Sequence, residues 1–459
     1  MSPTIAIFGG SFNPPGAHHR VIAEQLASQF DELLIIPCGP RPDKPVTNDV
    51  DPVYRAAMVD MTFRGIPGVR VELFDLESRT FTRQVALEEQ HRTRGEVYHV
   101  IGSDLLQGGR EGKSPIQREW FQGQKVWNEF RFAVLERPGY PLDPADLPPR
   151  QRVFDLSIPG ASCEIRDRVF HRQEVGERVT PEVRRFIDRY GLYCGMRPNH
   201  KGRLALAELK PLVIADPQNP RAQELACKIP SFAEGQANLV LVVGGDGTML
   251  HAIRSQWRHR LPFYGINAGH LGFLLNDEMA EGAAVGDLLV EHLPLLWVEM
   301  DLASGERRSA LAFNDAWLER ASGQTAWLRV AVDGCERLSK LVADGALVGT
   351  AAGSTAYARA MGAHPLPLNV PSLMLVGSNV LHPAFFKPAV LPIGSTVELT
   401  SLEPHKRPLR GFIDGILQGE VTGLRARVSH AASVELVFDP RQDLGEKLAR
   451  IQFPLGTEG

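Results

Sequence analysis

The chain has 459 residues, of which 43% are hydrophobic and 23% are charged. This length suffices for roughly two to four domains, and the composition is that of a soluble globular protein with a large core. The formal net charge of −4 gives no basic field, which argues against a nucleic-acid partner. No apolar run approaches the length needed to cross a bilayer, so we expect no membrane partner.

The five cysteines are scattered along the chain and include no CxxC pair. Their odd number and their spacing fit neither a zinc knuckle nor a disulfide framework, so no metal-ligand set is predicted. This cysteine usage favours a reducing, cytoplasmic location. The N-terminus Met1–Thr4 has no basic region before a long apolar stretch, so we expect no signal peptide.

Short apolar runs alternate with helix-like stretches up to about residue 190. The predicted strands are Ile5–Phe8, Glu32–Pro37, Val69–Leu73, Val97–Ile101 and Phe130–Leu135, and the predicted helices are Ala17–Ser28, Pro52–Phe63 and Thr180–Tyr190. This alternation predicts a parallel sheet with helices on both faces. The proline-rich segment Pro138–Pro149 is predicted to be a surface loop.

The pattern fades between Gly195 and Leu209, where we predict a domain boundary. A second α/β segment follows, with predicted strands Leu212–Ala215 and Asn238–Val243 and predicted helices Pro220–Lys228 and Thr248–Gln256. After about residue 295, alternating runs such as Trp327–Gly334 predict a β-rich lobe, packed as a β-sandwich. The expected domains are 1–195, a linker 196–209, an α/β lobe 210–294, and a β-rich lobe 295–459 with a C-terminal return segment.

Residues 244–248 read Gly-Gly-Asp-Gly-Thr and directly follow the apolar run Leu239–Val243. The run predicts a buried parallel strand, and the glycines let the backbone turn tightly. Asp246 is therefore expected at the carboxyl end of a strand, where open α/β sheets bind ligands, beside helix amides that favour anions. A carboxylate there could take a proton from a hydroxyl or help hold a metal ion. In isolation, the same residues also fit a tight turn with a solvated aspartate.

Further blocks follow this loop along the second half of the chain. They are Gly265–Leu274, Asn314–Asp315, Asp344–Gly345 and Gly353–Tyr357. In this order and at this spacing, the blocks resemble the NAD kinase family. The resemblance implies an α/β lobe followed by a β-rich lobe, and transfer of a phosphoryl group to the 2′-hydroxyl of the adenosine ribose of NAD. The implied substrates are ATP and NAD, with Mg²⁺ or another divalent cation as cofactor; polyphosphate stays open as the donor.

The resemblance also implies roles for individual residues, with Asp246 as the catalytic base. The expected NAD-binding residues are Gly245, Gly247, His251, Asn267, Asn314, Asp315, Asp344, Thr355, Ala356, Tyr357 and Ala360. Thr248 is expected to cap the following helix. Met361–Pro365 stands where many family members have a Gly-Gly-Pro segment, which leaves the local loop shape open.

Three of these positions have a structural alternative. His251 also fits a solvated helix histidine. Asn314–Asp315 also fits an Asx turn. Asp414–Gly415 resembles a later Asp-Gly turn of the family, and for it a plain hairpin turn is the expected role.

The first half carries a different motif, Gly9–His19, directly after the first predicted strand. A glycine turn that leads to histidines at a helix start is a phosphate site on physical grounds. The motif resembles the opening of the nicotinate or nicotinamide mononucleotide adenylyltransferases, over roughly residues 3–194. Further matching segments are Pro42–Pro45, Thr80–Thr82, Ile101–Asp104, Trp120 and Ser162–Arg166. The resemblance implies a Rossmann-like nucleotidyltransferase sheet and adenylyl transfer from ATP to a pyridine mononucleotide.

By this resemblance, His19 and Arg166 are catalytic and steady charge on the ATP phosphates. The expected ATP- and mononucleotide-binding residues are Gly9, Gly10, Ser11, Phe12, His18, Lys44, Thr82, Gly102, Asp104 and Ser162. The family motif is His (or Thr)-x-Gly-His, whereas residues 16–19 here read Gly-Ala-His-His. Either His18 substitutes for the missing first histidine, or this half retains the fold with decayed chemistry.

Together the two halves predict a fusion enzyme that makes a pyridine dinucleotide and then phosphorylates NAD to NADP. The alternatives are a kinase whose first half is a scaffold or regulator, and a non-catalytic NAD sensor. The sensor hypothesis predicts loss of Asp246, which is present. The expected partners are small nucleotides and further copies of the same chain, in a homo-oligomer. The preference between nicotinate and nicotinamide mononucleotide stays open.

Overall fold

The computed structural model describes all residues except 1, 42–49, 157, 196–200, 206–208, 270–271, 278–287, 443 and 454–459. The chain divides into two compact units, residues 1–199 and 200–459. This division falls inside the segment 196–209 that the sequence analysis treats as a linker. No helix among the described residues is both long enough and apolar enough to span a bilayer.

The first unit is built on six parallel strands. The strands are β1 (Thr4–Gly10), β2 (Glu32–Pro37), β3 (Val69–Val71), β4 (Glu96–Gly102), β5 (Arg131–Leu135) and β6 (Gln151–Phe154). The helices are α1 (Ala17–Ala27), α2 (Pro52–Phe63), α3 (Phe74–Ser78), α4 (Gln84–His91), α5 (Pro115–Glu119), α6 (Gly123–Glu129), α7 (Ser162–Phe170) and α8 (Pro181–Tyr190). The predicted parallel sheet is confirmed.

The strand order in this sheet is β3-β2-β1-β4-β5-β6. The chain therefore leaves β1 toward one edge of the sheet and returns at β4 to build toward the other. This reversal creates a crevice at the carboxyl ends of β1 and β4, where doubly wound sheets bind their ligands. Both Gly9–Gly10 and Gly102 lie at these strand ends.

Local sequence explains where several elements begin and end. Asp51 caps α2 by accepting a bond from the Val53 amide, with Pro52 at the first helical position. Thr180 caps α8 in the same way, and Gly191 ends that helix in the left-handed conformation. The segments 74–129 and 151–170 contain further helices and β6, which the sequence analysis did not predict. Pro138–Pro149, expected to be a loop, contains one short 3₁₀ turn, Pro144–Asp146.

The described part of the second unit contains one hydrogen-bonded sheet of fifteen strands. The strands are β7 (Lys201–Leu204), β8 (Pro211–Ala215), β9 (Leu239–Gly244), β10 (Phe263–Asn267), β11 (Leu288–Leu302), β12 (Arg307–Ala312), β13 (Asp315–Arg320), β14 (Ala326–Val332), β15 (Cys335–Ala343), β16 (Gly345–Thr350), β17 (Ser372–Ser378), β18 (Ala389–Pro392), β19 (Val397–Ser401), β20 (Leu409–Ile413) and β21 (Ile416–Phe438). The helices are α9 (Pro220–Cys227), α10 (Asp246–Gln256), α11 (Tyr357–Ala360) and α12 (Leu444–Gln452).

Strands β8, β9 and β10 are parallel and form the α/β part of this unit. The 23-residue strand β21 joins this part to the β-rich part. Its last residues pair in parallel with β10, and residues along most of the strand pair with β11 in the antiparallel direction. Strand β11 crosses the predicted lobe boundary at 294/295, and β7 lies inside the predicted linker and pairs with β11. The β-rich lobe is present, and its strands close around one shared core within the continuous sheet.

Both faces of β9 are covered. Val240 and Val242 pack in one core cluster with Met249 and Ile253 of α10. Leu239, Leu241 and Val243 pack in another cluster on the opposite face, which also contains Ala222 of α9. Burial on both faces explains the continuous apolar run, since a half-exposed strand would alternate. The strand thereby holds the Gly244–Thr248 turn rigidly at the edge of the sheet.

Candidate functional site

Polar side chains follow three neighbouring parallel strands at one edge of the second unit. Asp216 follows β8, Asp246 follows β9, and Asn267 is the last residue of β10. Asn267 lies opposite Gly244 in the strand register, and the Asp216 amide donates to the Val243 carbonyl at 2.9 Å. The structure thus places the predicted Gly244–Thr248 loop where carboxyl ends of parallel strands meet, as expected for a ligand site.

The Asp246 carboxylate is held by a second sequence block. Its two oxygens accept bonds from the amides of Phe273, at 3.0 Å, and Leu274, at 2.9 Å. Burial raises the pKa of this carboxyl, and the two amide bonds and the positive charge of Lys447 oppose the rise. An oriented carboxylate with a raised pKa is suited to accept a proton from a substrate hydroxyl.

The turn around Asp246 leaves open space. A side-chain carbon added at Gly245 or Gly247 would meet no atom within 4 Å, whereas at Gly244 it would lie 2.5 Å from Thr248 Oγ1. Packing within the protein therefore does not require glycine at positions 245 and 247. The space above them is available to a ligand group beside the amides at the start of α10.

The sequence predicts two features of α10, that Thr248 caps it and that His251 contacts a ligand. The expectation that Thr248 caps the helix was wrong, because α10 begins at Asp246 with Gly245 at the cap position. Thr248 Oγ1 instead donates to Asp216 Oδ2 at 3.4 Å. His251 lies on the exposed surface of α10, and its role as a ligand residue remains a prediction.

The Asn314–Asp315 pair is anchored by Asp414. The Asp414 carboxylate accepts bonds from the amides of Phe313 and Asn314, both at 2.8 Å, and from the Asp315 amide at 3.2 Å. Asp414–Gly415 is the turn between β20 and β21, with φ values of +46° and +80°. The expected hairpin turn is confirmed, and its side chain additionally fixes a distant segment.

Asp315 carries an unusual charge environment. Its side chain is buried, and burial together with the nearby Asp414 carboxylate raises the pKa of Asp315 to about 7. Within the described residues, neither Asp315 Oδ2 nor Asn314 Oδ1 has a hydrogen-bond partner. Buried acceptors without partners are costly unless a ligand supplies donors. This pair is therefore suited to accept bonds from ribose hydroxyls or an amino group.

The Gly353–Tyr357 block packs directly on the same segment. A side chain at Gly353 would place its first carbon 2.3 Å from the Asn314 carbonyl oxygen, so the close approach that glycine permits here is to the protein's own backbone. Thr355 and Ala356 are half-buried, and Tyr357 and Ala360 are exposed. The Tyr357 ring packs against Trp317 at a centroid distance of 4.8 Å.

Asp344 lies farther along the sheet from the Asn314–Asp315 pair, although its negative charge, like that of Asp315, helps raise the pKa of the Tyr357 hydroxyl after burial and Glu319. In the antiparallel pairing of β13 with β16, Asp315 lies opposite Gly349 while Glu319 lies opposite Gly345. Asp344, which lies next to Gly345 and accepts a bond from the Arg320 amide, is thus roughly 17 Å along the strand pair from Asp315 at the ordinary rise per residue. Its carboxylate pairs with the Arg320 guanidinium at 2.6 Å. A ligand role for Asp344 at the Asn314–Asp315 site would need a group that reaches along the sheet.

One core supports the two parts of this site. Phe313, next to Asn314, and Ala352, next to Gly353, belong to the same buried cluster as Met249 of α10 and Phe273. The Asp246 turn and the Asn314–Asp315 pair are therefore carried by elements that share a packed interior. The positive charge of Arg254 on α10 also reaches the Asp414 carboxylate.

In the first unit, the Gly9–His19 motif leads from β1 to α1 at the crevice. His19 Nδ1 accepts a bond from the Gly16 amide at 2.9 Å. Burial, His18 and Arg137 hold the pKa of His19 well below its usual value. The imidazole is therefore neutral and carries its proton on Nε2, which makes Nε2 a donor for a phosphate oxygen.

The altered residues of this motif fit one another sterically. A side-chain carbon built on Gly16 would lie 2.4 Å from His18 Cε1, and one built on Gly160 would lie 2.3 Å from His18 Nδ1. The His18 ring thus occupies space that a side chain at position 16 would need. It packs on His19 at 3.9 Å between centroids and lines a cavity of about 320 Å³. Burial and then Arg137 lower the pKa of His18 to about 4.

Two expected ligand residues, Arg166 and Ser162, and the unpredicted Arg55 hold the Gly9–His19 loop in this structure. Arg166 Nη1 donates to the Asn13 carbonyl at 2.6 Å, and Ser162 Oγ donates to the Pro14 carbonyl at 2.8 Å, both from α7. Arg55 of α2 is completely buried and donates to the carbonyls of Ser11 and Cys38. The loop is therefore fixed from two helices, which orders the backbone of Ser11–Pro14.

The remaining expected residues have varied surroundings. Phe12 is buried in the core among Phe8, Phe63 and His19, so its ring contacts the protein interior. Thr82 bonds to the buried Asp75 carboxylate through both its amide and its hydroxyl, the latter at 2.6 Å. Asp104 follows Gly102 at the end of β4 and pairs with Arg137 at 2.6 Å. Lys44 lies outside the described residues.

Comparison with known proteins assigns both halves. A family model described as the ATP-NAD kinase N-terminal domain matches residues 169–292, and one described as cytidylyltransferase-like matches residues 7–174. The NAD kinase of Rickettsia akari (strain Hartford) is 33% identical over 229 residues, which are 50% of this chain and 88% of that protein. The chain belongs to the NAD kinase family.

A second NAD kinase, from Cereibacter sphaeroides (strain ATCC 17025), is 34% identical over 229 residues, again 50% of this chain and 88% of that protein. Among solved structures, yeast NADH kinase complexed with NADH aligns with a TM-score of 0.45 and 17% identity, covering 55% of this chain and 89% of that one. The NAD kinase relatives cover the C-terminal half. The predicted combination of a nucleotidyltransferase-like domain and a NAD kinase is confirmed.

Sequence reasoning missed four residues that shape the NAD kinase and nucleotidyltransferase-like sites. Asp216 has the same signal as Asp246, an acidic residue directly after an apolar run, and could have been found. Arg55, Arg137 and Lys447 carry no local signal. Each acts through contacts with residues far away in the sequence.

We expect Asp315→Asn to stabilise the NAD kinase unit increasingly as the pH rises. The folded pKa of about 7 lies above the usual unfolded value, so the native state binds the extra proton and loses stability between about pH 4 and pH 7 as that proton leaves. The asparagine variant lacks this loss. The difference in free energy of unfolding, variant minus wild type, should grow by roughly 2–4 kcal/mol from pH 4 to pH 8 in denaturant titrations.

Glu306→Gln is the matched control, since Glu306 lies exposed on the turn between β11 and β12. It should leave the pH dependence of unfolding unchanged. A stability difference for Asp315→Asn that stays constant over this pH range would contradict the raised pKa.

Proposed function

We propose that the second unit transfers a phosphoryl group to the 2′-hydroxyl of the adenosine ribose of NAD, giving NADP, with Asp246 as the base. The observation that carries this proposal is the Asp246 carboxylate, oriented by two amides beside the open space over Gly245 and Gly247. In this step the hydroxyl oxygen bonds to the terminal phosphorus, its proton passes to Asp246, and the bond to the leaving nucleoside diphosphate breaks.

The NAD molecule would be held by the two parts of the site. Asn314 and Asp315 offer buried acceptor atoms without protein partners within the described structure, which suits ribose hydroxyls or an amino group. Thr355, Ala356 and Tyr357 would contact the nucleotide, with the exposed Tyr357 ring as a flat face for a base. Gly245, Gly247, His251, Asn267 and Ala360 complete the proposed contact set, and Asp344 belongs to it provided that NAD extends along the β13–β16 pair.

The edge formed by the ends of β8, β9 and β10 can supply one carboxylate ligand to a divalent cation. Within the described residues, no group of three or more His, Cys, Asp or Glu could hold a metal ion. Mg²⁺ commonly binds through one or two carboxylates and the substrate phosphates. Asp216, the carboxylate at this edge not assigned as the base, would supply the protein ligand. The cation would neutralise phosphate charge, with ATP as the proposed donor.

For the first unit we propose adenylyl transfer from ATP to nicotinate or nicotinamide mononucleotide. The mononucleotide phosphate oxygen would attack the α-phosphorus of ATP while the bond to the β-phosphate breaks and pyrophosphate leaves. His19 Nε2–H and the amides of Gly9, Gly10 and Ser11 would donate to the phosphates. His18 would stand in for the first histidine of the motif, supported by its ring filling the space over Gly16.

Arg166 would turn part of its guanidinium to ATP, since the structure engages Nη1 at the Asn13 carbonyl. Asp104 would orient a ribose or magnesium, and Lys44 would add positive charge. A competing hypothesis keeps the first unit as a scaffold or regulator. The observation behind it is that Arg166, Ser162 and Thr82 all bond to the protein's own loops or carboxylates.

We further propose a cytoplasmic homo-oligomer. The connection between β17 and β18 and the start of β18 expose three large apolar side chains, Leu381 at 71%, Phe385 at 79% and Val390 at 60%. Exposed apolar side chains grouped along one short segment are typical of a contact surface.

Asp246→Asn should lower kcat for NADP formation by at least about 100-fold, because the amide cannot take the hydroxyl proton. The remaining carbonyl oxygen can still accept from one of the two amides, that of Leu274 in the present orientation, so the loop and NAD binding should survive. Initial rates with NAD, ATP and Mg²⁺, together with calorimetric NAD binding, check this. Asp301→Asn, a change at an exposed carboxylate paired with Arg307, is the control. Undiminished turnover would remove Asp246 as the base.

Wild-type protein incubated with ATP and either mononucleotide should form a dinucleotide and pyrophosphate. Gly16→His alone should lower this rate by roughly tenfold or more, since the new side chain collides with His18. Adding His18→Gly recreates the family pattern and should restore the rate. Product from neither mononucleotide with wild type supports the scaffold hypothesis; a double variant no better than Gly16→His refutes the compensation.

Phe385→Ser should shift the protein toward smaller species in size-exclusion chromatography with light scattering, because it removes apolar contact area. Phe170→Ser, at an exposed phenylalanine of the first unit, is the control. A wild-type protein that is monomeric at micromolar concentration would overturn the homo-oligomer.

A further inference from the structure

The C-terminal helix α12 places a buried ammonium group under the loop that holds Asp246. Lys447 is only 2% exposed. Its Nζ donates to the carbonyl of Gly272 at 3.0 Å and to the carbonyl of Leu275, and it pairs with the Asp277 carboxylate at 2.9 Å. An ammonium group has three N–H donors, so these three acceptors use its full capacity.

The same loop faces Asp246 with its amides. Phe273 and Leu274 lie between the two carbonyls that Lys447 binds, and their N–H groups donate to the Asp246 carboxylate. Lys447 therefore binds the carbonyl side of this loop, while the amides on the other side bind the Asp246 carboxylate. A displacement of the Gly272 or Leu275 carbonyl would rotate the intervening peptides and move the two amides.

The helix itself has other anchors. Ile451 is buried, and Leu444 and Leu448 pack against the core cluster that includes Met249 and Phe273. Arg359 of α11 donates to the Ile451 carbonyl at 3.0 Å, and Gln452 donates to the Pro365 carbonyl at 3.2 Å. Loss of the Lys447 bonds would therefore leave α12 docked, so a defect in its variants can be assigned to the loop.

We infer that Lys447 is a positioning residue for phosphoryl transfer: from α12 it fixes residues 272–275, which in turn aim the Asp246 carboxylate at the substrate hydroxyl. This inference rests on the proposed role of Asp246 as the base. The positive charge of Lys447, like the two amide bonds, lowers the pKa of Asp246 and so favours the ionised carboxylate that can accept a proton. The transfer step is sensitive to such aim, since an error of about 1 Å can cost on the order of 100-fold in rate.

The test compares Lys447→Gln with Arg450→Gln in the full chain. Glutamine offers two donors on a shorter, neutral side chain, whereas Arg450 lies exposed on the same helix and pairs with Glu446. We expect Lys447→Gln to lower kcat by roughly 10- to 100-fold with KM for NAD changed less than about threefold. Hydrogen–deuterium exchange at the Phe273 and Leu274 amides should become faster. Arg450→Gln should change neither quantity.

The Asp246→Asn background separates this role from general damage and from the role of Asp246. If Lys447 acts through Asp246, Lys447→Gln should lower the residual rate of Asp246→Asn by less than about threefold. An equal loss in both backgrounds overturns the inference, as does a folded Lys447→Gln protein with wild-type kcat. If Asp246→Asn has faster exchange in residues 272–275 but the kcat of the wild type, the assignment of Asp246 as the base is refuted, and that result is distinct from a failure of Lys447 to position the loop.

Asp277→Asn gives a second route should Lys447→Gln not fold. It removes the charge that holds the ammonium in place and so weakens the bonds of the ammonium to both loop carbonyls. A smaller fall in kcat, with a matching rise in exchange at Phe273 and Leu274, supports the inference. Wild-type values for both quantities overturn it.

Discussion

The bonds between the Asp246 carboxylate and the amides of Phe273 and Leu274 are the interaction on which the kinase site depends. A carboxylate removed from water is costly unless donors replace the lost hydration. Here the donors come from a loop that follows the next strand, so one interaction both satisfies the acid and joins two separate sequence blocks. The rigid strand β9 beneath, buried on both faces, keeps this junction in place.

The same device recurs elsewhere in the chain. The Asp414 carboxylate collects three amides of the Phe313–Asp315 segment, and the Asp75 carboxylate collects the amide and hydroxyl of Thr82. Burial raises the pKa of both acids. Each case ties a loop to a distant element through charge-assisted bonds that are stronger than neutral ones. Site loops are thereby ordered before any ligand arrives, at a cost in stability that the packed cores offset.

In the Ser11–Pro14 segment of the first unit, the side chains that order the loop bond to backbone carbonyls rather than to amides. Arg55, Arg166 and Ser162 all donate to carbonyls of the Ser11–Pro14 segment, which leaves the loop amides free of these side chains. A neutral His19 and the His18 ring then lie beside the crevice at β1 and β4. The geometry is compatible with phosphate binding and with a structural role, because the same bonds serve both.

Local sequence determined much of the fold and part of the site. Continuous apolar runs predicted β1, β2 and β9, and the glycine loop after β9 located Asp246. Local sequence also determines where α2 and α8 begin, through the caps Asp51 and Thr180. Each of these features depends on neighbours a few residues away. Tertiary structure alone decided that Lys447 bonds to the loop at residues 272–275 and that Asp414 anchors Asn314. It also placed Asp344 at the far end of β13 and β16, and it brought the Asn314 backbone so close to Gly353 that a side chain there would collide with it. Those contacts join residues tens to hundreds of positions apart, and they depend on strand register and packing, which leave no periodic trace in the sequence.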